Sequence, residues 1–318
     1  MEQKAITATG RYRNFCVNAP ADFPLFMQDW YLDAVCTRGT WEAAVVEKGG
    51  KIAGVMPYFI KKSGLWHYVT MPVLGRFMGP YILPEFRNSH RETEIVESLI
   101  GQLPKLVTFT QDFNYTVTNW LPFYWQNFRQ STRYSYVLHV ENLEQVWNGI
   151  AADYRNHKIR KAKAFLQIET DGNLQELFRL NNLGYTRQRL PIPFNFSFLQ
   201  NLDQILAQKK QRKIFVVRNP KTGAIHSAAY LVWDQSAAYY LIAGDDPALR
   251  NAGSGILMAW ECIRYTAEVL RLPCFDFVGS MIRPVERVRR QFGAVQQPYF
   301  RVEKESSLFW KMAKRLKT

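Results

Sequence analysis

The sequence predicts an α/β (α+β) fold built as two successive sets of strands and helices. Three observations carry this. Residues 237–299 read as strand, glycine-rich turn, helix and strand, with AAYYLIAG followed by DDPALRNAGSG, ILMAWECIRYTAEVL and PCFDFVGS. Two pairs of β-like runs, 41–47 with 51–60 and 213–218 with 224–233, are each joined by a turn sequence, Lys48-Gly49-Gly50 and Asn219-Pro220-Lys221-Thr222-Gly223. Both halves also share one order of elements: helix, hairpin, third strand, glycine turn, helix, strand, helix, strand.

Taken in order, residues 23–35 (FPLFMQDWYLDAV) have helical apolar spacing, with Asp22 as the expected cap. After the first hairpin, 66–74 reads as a strand leading to Gly75-Arg76-Phe77-Met78-Gly79-Pro80. A helix over 89–102, a strand over 106–110, a helix near 121–127 and a strand over 134–140 close the first half. The second half opens at Leu143-Glu144-Gln145-Val146-Trp147 and runs into the basic segment 154–162. Helices follow near 174–185 and 196–208, then the second hairpin, a strand over 237–243 and a helix of about four turns after Gly255. The next strand, 274–278, ends at Gly279-Ser280. This division gives an N-terminal domain over 1–141 and a C-terminal domain over 142–318, the latter closing on a basic amphipathic helix at 306–318.

Composition narrows the partners. The chain has 318 residues, 47% of them hydrophobic, which supports folded cores and excludes global disorder. The 41 Lys+Arg against 27 Asp+Glu give +14, a balance that favours anionic partners such as tRNA, the phosphates of CoA or an acidic membrane surface. The four cysteines (Cys16, Cys36, Cys262, Cys274) are far apart and show no metal-ligand spacing, so buried free thiols and no metal are expected. The N-terminus has no apolar signal segment, and residues 224–244 read as two strands instead of a membrane helix. A reduced, cytoplasmic protein is expected, peripheral at most to the inner membrane face.

The turn Arg250-Asn251-Ala252-Gly253-Ser254-Gly255 is the first candidate site. A helix start leaves backbone N–H groups unpaired at the positive end of the macrodipole, and glycines let an anion approach closely. The same spacing also occurs in ordinary strand-to-helix turns. Arg155, Lys158, Arg160 and Lys161 form a second, cationic candidate, with 155 and 158 on one helical face and 158 and 161 on another. Asp276 alternates with Phe275 and Phe277, which puts the carboxylate on the opposite sheet face, as a base or as the partner of an arginine. Tyr239 reads as a donor or substrate contact, or as core. Ser280 reads as a helix cap or substrate contact, Glu286 as a second possible base, and His226 as a satisfied core residue.

Together, several motifs resemble the FemAB-like branch of the GNAT (Gcn5-related) acyltransferase superfamily, which includes the methicillin-resistance FemA/FemB-like proteins. They are Val55-Met56-Pro57-Tyr58, Gly79-Pro80, Lys158-Ile159-Arg160-Lys161-Ala162, Tyr239-Tyr240-Leu241, Arg250-x-x-Gly253-x-Gly255, Phe275-Asp276-Phe277-x-Gly279-Ser280 and Phe292-Gly293-Ala294 near Tyr299. The resemblance implies tandem GNAT domains, each a mixed, mostly antiparallel sheet flanked by helices, the first degenerate in its loop. It implies an acyl-CoA or carrier-bound donor on Arg250, Gly253, Ser254 and Gly255, with Tyr239, Asp276 and Glu286 as catalytic candidates. Arg155, Lys158, Lys161 and Ser280 would then bind substrate, a small-molecule or lipid-linked amine acceptor of the cell envelope. Fem transferases acting on peptidoglycan carry an inserted helical-hairpin arm for which this chain has no room. Donation from aminoacyl-tRNA is the alternative chemistry. Non-catalytic binding of RNA or of an anionic envelope intermediate is the alternative class.

Overall fold

The computed structural model describes residues 7–279 and 281–306. Ser280 and nearly all of the basic tail helix expected at 306–318 lie outside the described residues. The described chain divides into two compact units, one of residues 7–133 with 298–306 and the other of residues 134–297.

The first unit opens with α1 (Ala8–Val17), capped by the Thr7 hydroxyl, and α2 (Asp29–Val35). The single helix expected over 23–35 is broken. Leu25–Met27 forms one 3-10 turn, and the extended backbone of Gln28 separates it from α2. Asp22 caps neither piece; its carboxylate accepts from the Tyr81 hydroxyl at 2.6 Å and from Arg87 at 2.7 Å. Strands β1 (Thr40–Lys48), β2 (Lys51–Ser63) and β3 (Trp66–Thr70) follow as an antiparallel meander, with the short β4 (Tyr81–Ile82) paired to β2. Helix α3 (Ser89–Gly101) leads to β5 (Thr108–Asp112), which runs parallel to β3. Helix α4 (Leu121–Trp125) leads into β6 (Arg129–His139). The other edge of β5 takes Arg301–Glu305, antiparallel, and Val302 enters the core with Phe109, Phe113 and Met56.

The second unit repeats the plan. Helix α5 (Leu143–Gly149), a π-helical turn at Tyr154–Ile159 and α6 (Arg160–Lys163) precede β7 (Gln167–Thr170), α7 (Leu174–Arg187) and α8 (Phe196–Gln208). Strands β8 (Arg212–Arg218), β9 (Ile225–Trp233) and β10 (Ala237–Asp245) continue the antiparallel sheet from β7. Helix α9 (Ser254–Glu268) crosses to β11 (Cys274–Asp276), parallel to β10, and Val137–His139 of β6 closes on β11 antiparallel. Helix α10 (Arg283–Gln291) and β12 (Val295–Glu305) end the described chain. The exchange is topological: the strand that ends the first set of elements lies in the second unit's sheet, and the strand that ends the second lies in the first unit's.

Helix α9 is the spine of the second unit. Leu257, Met258, Trp260, Cys262 and Ile263 are buried against Phe275, Phe277, Ala238, Leu231 and Phe215. Burying each large apolar side chain contributes about 1.5–3 kcal/mol. This packing fixes where the first turn of α9 stands relative to the end of β10.

Candidate active site

Beyond Tyr239 and Asp276 the parallel strands β10 and β11 part. Their pairing spans only Ala237↔Cys274, Ala238↔Phe275 and Tyr239↔Asp276, while β10 runs on to Asp245. The reason lies in β11, whose expected continuation to Val278 does not form. Val278 turns to φ 58° and Gly279 to φ 74°, which ends the strand. Among the described residues, the rest of β10 therefore has no paired strand along its β11 side. Its other edge stays on β9, with a register shift between Tyr240 and Ile242.

The glycine turn stands at the far end of β10. A 3-10 turn over Arg250–Ala252 ends at Gly253, whose φ of 75° is a left-handed conformation that glycine adopts without strain. No side chain caps α9, and its first helical bond runs from the Leu257 N–H to the Gly253 carbonyl at 3.0 Å. The N–H groups of the first turn thus carry no side-chain cap. Ser254 is fully buried, and among the described residues its Oγ has no hydrogen-bond partner. In the first unit the corresponding helix start is closed: the Asn88 side chain accepts from the Arg91 N–H at 3.1 Å. The two helix starts therefore differ in whether a side chain caps them.

The cationic segment meets this turn. Asn156, His157, Lys158, Arg160 and Lys161 line a cavity of about 460 Å³ together with Asn251 and Ala252. The Lys158 carbonyl lies so close to Gly253 that an added β-carbon would stand 3.1 Å from it. Lys158 and Lys161 therefore share a pocket with the glycine turn, whereas Arg155 lies outside it. Arg155 bonds instead to Asn148 at 3.4 Å. The common face expected for Arg155 and Lys158 assumes an α-helix, and the wider π turn changes the angle between them. Arg250 is exposed at the start of the 3-10 turn. Its charge opposes the rise that burial causes in the Asp245 carboxyl pKa.

Asp245 carries no signal in the sequence beyond its place at a strand end. Its carboxylate lies against Gly255, and an added β-carbon there would stand 2.7 Å from Oδ1. His226, expected to be a satisfied core residue, is buried but leaves Nδ1 without a partner, and burial lowers its pKa. Its carbonyl accepts from the Asp246 N–H at 2.9 Å, which places it beneath the turn that leads to Arg250.

Tyr239 and Asp276 are register partners at the root of the strand divergence. Both are buried. The Tyr239 hydroxyl donates to Asp234 at 2.9 Å, and Asp276 Oδ1 accepts from the Ser135 hydroxyl and from the Val278 N–H at 2.7 Å. Among the described residues Asp276 Oδ2 has no partner, and burial pushes this carboxyl up to about 6. Glu286 lies on α10, half-buried, accepting from Tyr136 at 2.9 Å and pairing with Arg290 at 3.2 Å. The catalytic candidates thus fall into a sealed pair and one carboxylate with access to solvent. Among the described residues, no group of three or more His, Cys, Asp or Glu side chains could hold a metal ion, and no helix is long and apolar enough to cross a membrane.

Residues 153–301 match the acetyltransferase (GNAT) domain family. Three solved structures are similar to the chain over nearly its whole length. FemX superimposes with a TM-score of 0.69 at 13% identity, covering 94% of this chain and 97% of that one. A tandem GNAT protein from the clavulanic acid biosynthesis pathway gives 0.59 at 10% identity, with 93% of each chain covered. The L-PGS of Bacillus licheniformis gives 0.53 at 10% identity, covering 98% and 97%. No curated protein sequence matches. The fold is that of a tandem GNAT protein, in keeping with the FemAB-like resemblance.

Proposed function

We propose that this chain, which carries a GNAT acetyltransferase domain over residues 153–301, is an N-acyltransferase that takes its donor at the head of α9. One observation carries the reading: the 3-10 turn that leads into the uncapped start of α9 shares a single cavity, through Asn251 and Ala252, with the cations Lys158 and Lys161. An acyl-CoA or a carrier thioester would set its phosphate there, on the N–H groups of Ser254, Gly255 and Ile256 and on the two lysines. The Asn251 side chain adds a neutral donor on the same wall.

The early end of β11 beside β10 gives the acyl arm its place. Backbone N–H groups on the free edge of β10 would polarise the carbonyl, in a position set before any ligand arrives. The acceptor amine forms the new C–N bond as the C–S bond breaks. One proton leaves the ammonium before attack, and a second leaves the nitrogen as the thiolate takes up a proton. Asp276 is sealed, so Glu286 is the carboxylate that takes the ammonium proton in this reading. Arg250 tempers the charge at Asp245. The amine would come from a small molecule or a lipid-linked envelope intermediate.

A second donor is favoured by Asp245. A carboxylate beside the anion turn suits a donor that carries an ammonium near its phosphate, as aminoacyl-tRNA does. Thiol release from acetyl-CoA in the presence of an amine panel tests the first donor, and transfer from charged tRNA to the same panel tests the second. Turnover with neither donor, in folded protein, would leave a binding protein for anionic ligands.

A further inference from the structure

The geometry points to a membrane-docking surface on the second unit: the segment Met281–Arg290 seats on an anionic lipid bilayer. The inference stands apart from the donor assignment, because it uses none of the residues around the α9 turn. It starts from α10, whose two sides differ sharply. The inner side is anchored. Val288 packs on the core of the unit, and the Arg289 guanidinium lies 5.8 Å from the centre of the Phe277 ring. The outer side presents Arg283, Arg287 and Arg290, at i, i+4 and i+7, all exposed. Among the described residues neither Arg283 nor Arg287 has an ion-pair partner, and Arg290 pairs only with Glu286.

Two large apolar side chains stand directly before these arginines. Met281 is 56% exposed and Ile282 49%. Exposure of this kind is ordinary for one residue and informative for two adjacent ones on the rim of a cationic stripe. The chain reaches this position through a left-handed Val278, a conformation a β-branched residue adopts only when its surroundings impose it. Asp276 does so by accepting the Val278 N–H at 2.7 Å. Between Arg283 and Arg287 lies a depression of about 690 Å³, lined also by Asp153, Tyr154, Pro284 and Gln291. Two guanidinium groups on one wall suit a lipid phosphate. Met281 and Ile282 would enter the interfacial layer beside it.

A nucleic acid would also engage the arginines, but it has no use for the apolar pair. Nor does the surface offer a free stacking platform, since the Tyr154 ring packs edge-on to Phe292 at 5.7 Å.

Sedimentation with vesicles of phosphatidylcholine alone, and of phosphatidylcholine with an equal share of phosphatidylglycerol, tests the surface in the full chain. The wild type should bind the mixed vesicles and not the neutral ones. Arg283→Glu/Arg287→Glu and Met281→Ser/Ile282→Ser should each weaken binding about tenfold or more, with the thermal midpoint unchanged. The reversal Lys51→Glu/Lys62→Glu on the first unit should leave it as it was. The proposal falls if the wild type ignores mixed vesicles, or if either α10 variant binds like the wild type. It also falls if single-stranded RNA binds more tightly at the same salt through the same arginines.

Discussion

The carboxylate of Asp245 stands against Gly255 across the head of α9, where an added β-carbon would lie 2.7 Å from Oδ1. A side chain at position 255 would therefore have to displace the Asp245 carboxylate, even though the backbone φ there is ordinary. The same closeness also places a negative charge beside the site proposed for an anion. Gly255→Ala should shift the first turn and weaken CoA binding about tenfold or more, a loss near 1.4 kcal/mol. Calorimetry on the variant checks this, and unchanged affinity would mean that the ligand sits elsewhere.

Asp245→Asn separates the two donors. Removing the charge should strengthen the binding of CoA and inorganic pyrophosphate several-fold, since a nearby like charge costs on the order of 1 kcal/mol. Transfer from an aminoacyl donor should fall in the same variant. Parallel titrations and transfer assays read both directions.

Asp276 makes a pH-dependent contribution. Its folded pKa, about 6, lies above that of a carboxyl in the unfolded chain. The contribution to stability is therefore full below about pH 4, falls as pH rises, and is gone above about pH 6, a loss of about 2–3 kcal/mol. Asp276→Asn keeps an oxygen for the Ser135 hydroxyl and the Val278 N–H but carries no charge. Its thermal midpoint relative to wild type should rise between pH 4 and pH 8. A constant difference would show that the carboxyl is not driven up by burial.

Val278→Gly should relieve the left-handed strain, which is of order 1–3 kcal/mol before the entropy that glycine adds to the unfolded chain. The same change removes a buried side chain worth about 1.5–3 kcal/mol, so chemical unfolding should show no net gain in stability, and vesicle binding should weaken as the Met281–Ile282 pair loses its fixed position.

Glu286→Gln should lower amine acylation about a hundredfold while CoA affinity stays the same, the pattern of a lost general base. Equal turnover would remove Glu286 from the chemistry and leave it as the partner of Tyr136.

Much of this was legible in the residues. Local rules place α8, α9 and the hairpin β8–β9, because each has apolar periodicity closed by turn residues. The glycine turn and the cationic run are each visible in the sequence. That they face one cavity is not, because nearly a hundred residues separate Lys158 from Gly253 and the contact depends on how α9 packs. The break at Gln28 and the early end of β11 were hidden for a different reason. The first shows only in the extended backbone of Gln28, and the second in the left-handed Val278, whose N–H the Asp276 carboxylate holds, neither of which a local apolar pattern reports. Asp245 and His226 have no motif at all and become notable only through what they touch.

Calorimetric titration of CoA into the wild type and into Lys158→Glu/Lys161→Glu bears most directly on the donor site. The account expects saturable binding to the wild type and a loss of about tenfold or more in the variant, with the fold intact by thermal unfolding. Equal binding by the two proteins, or none by a folded wild type, would contradict it.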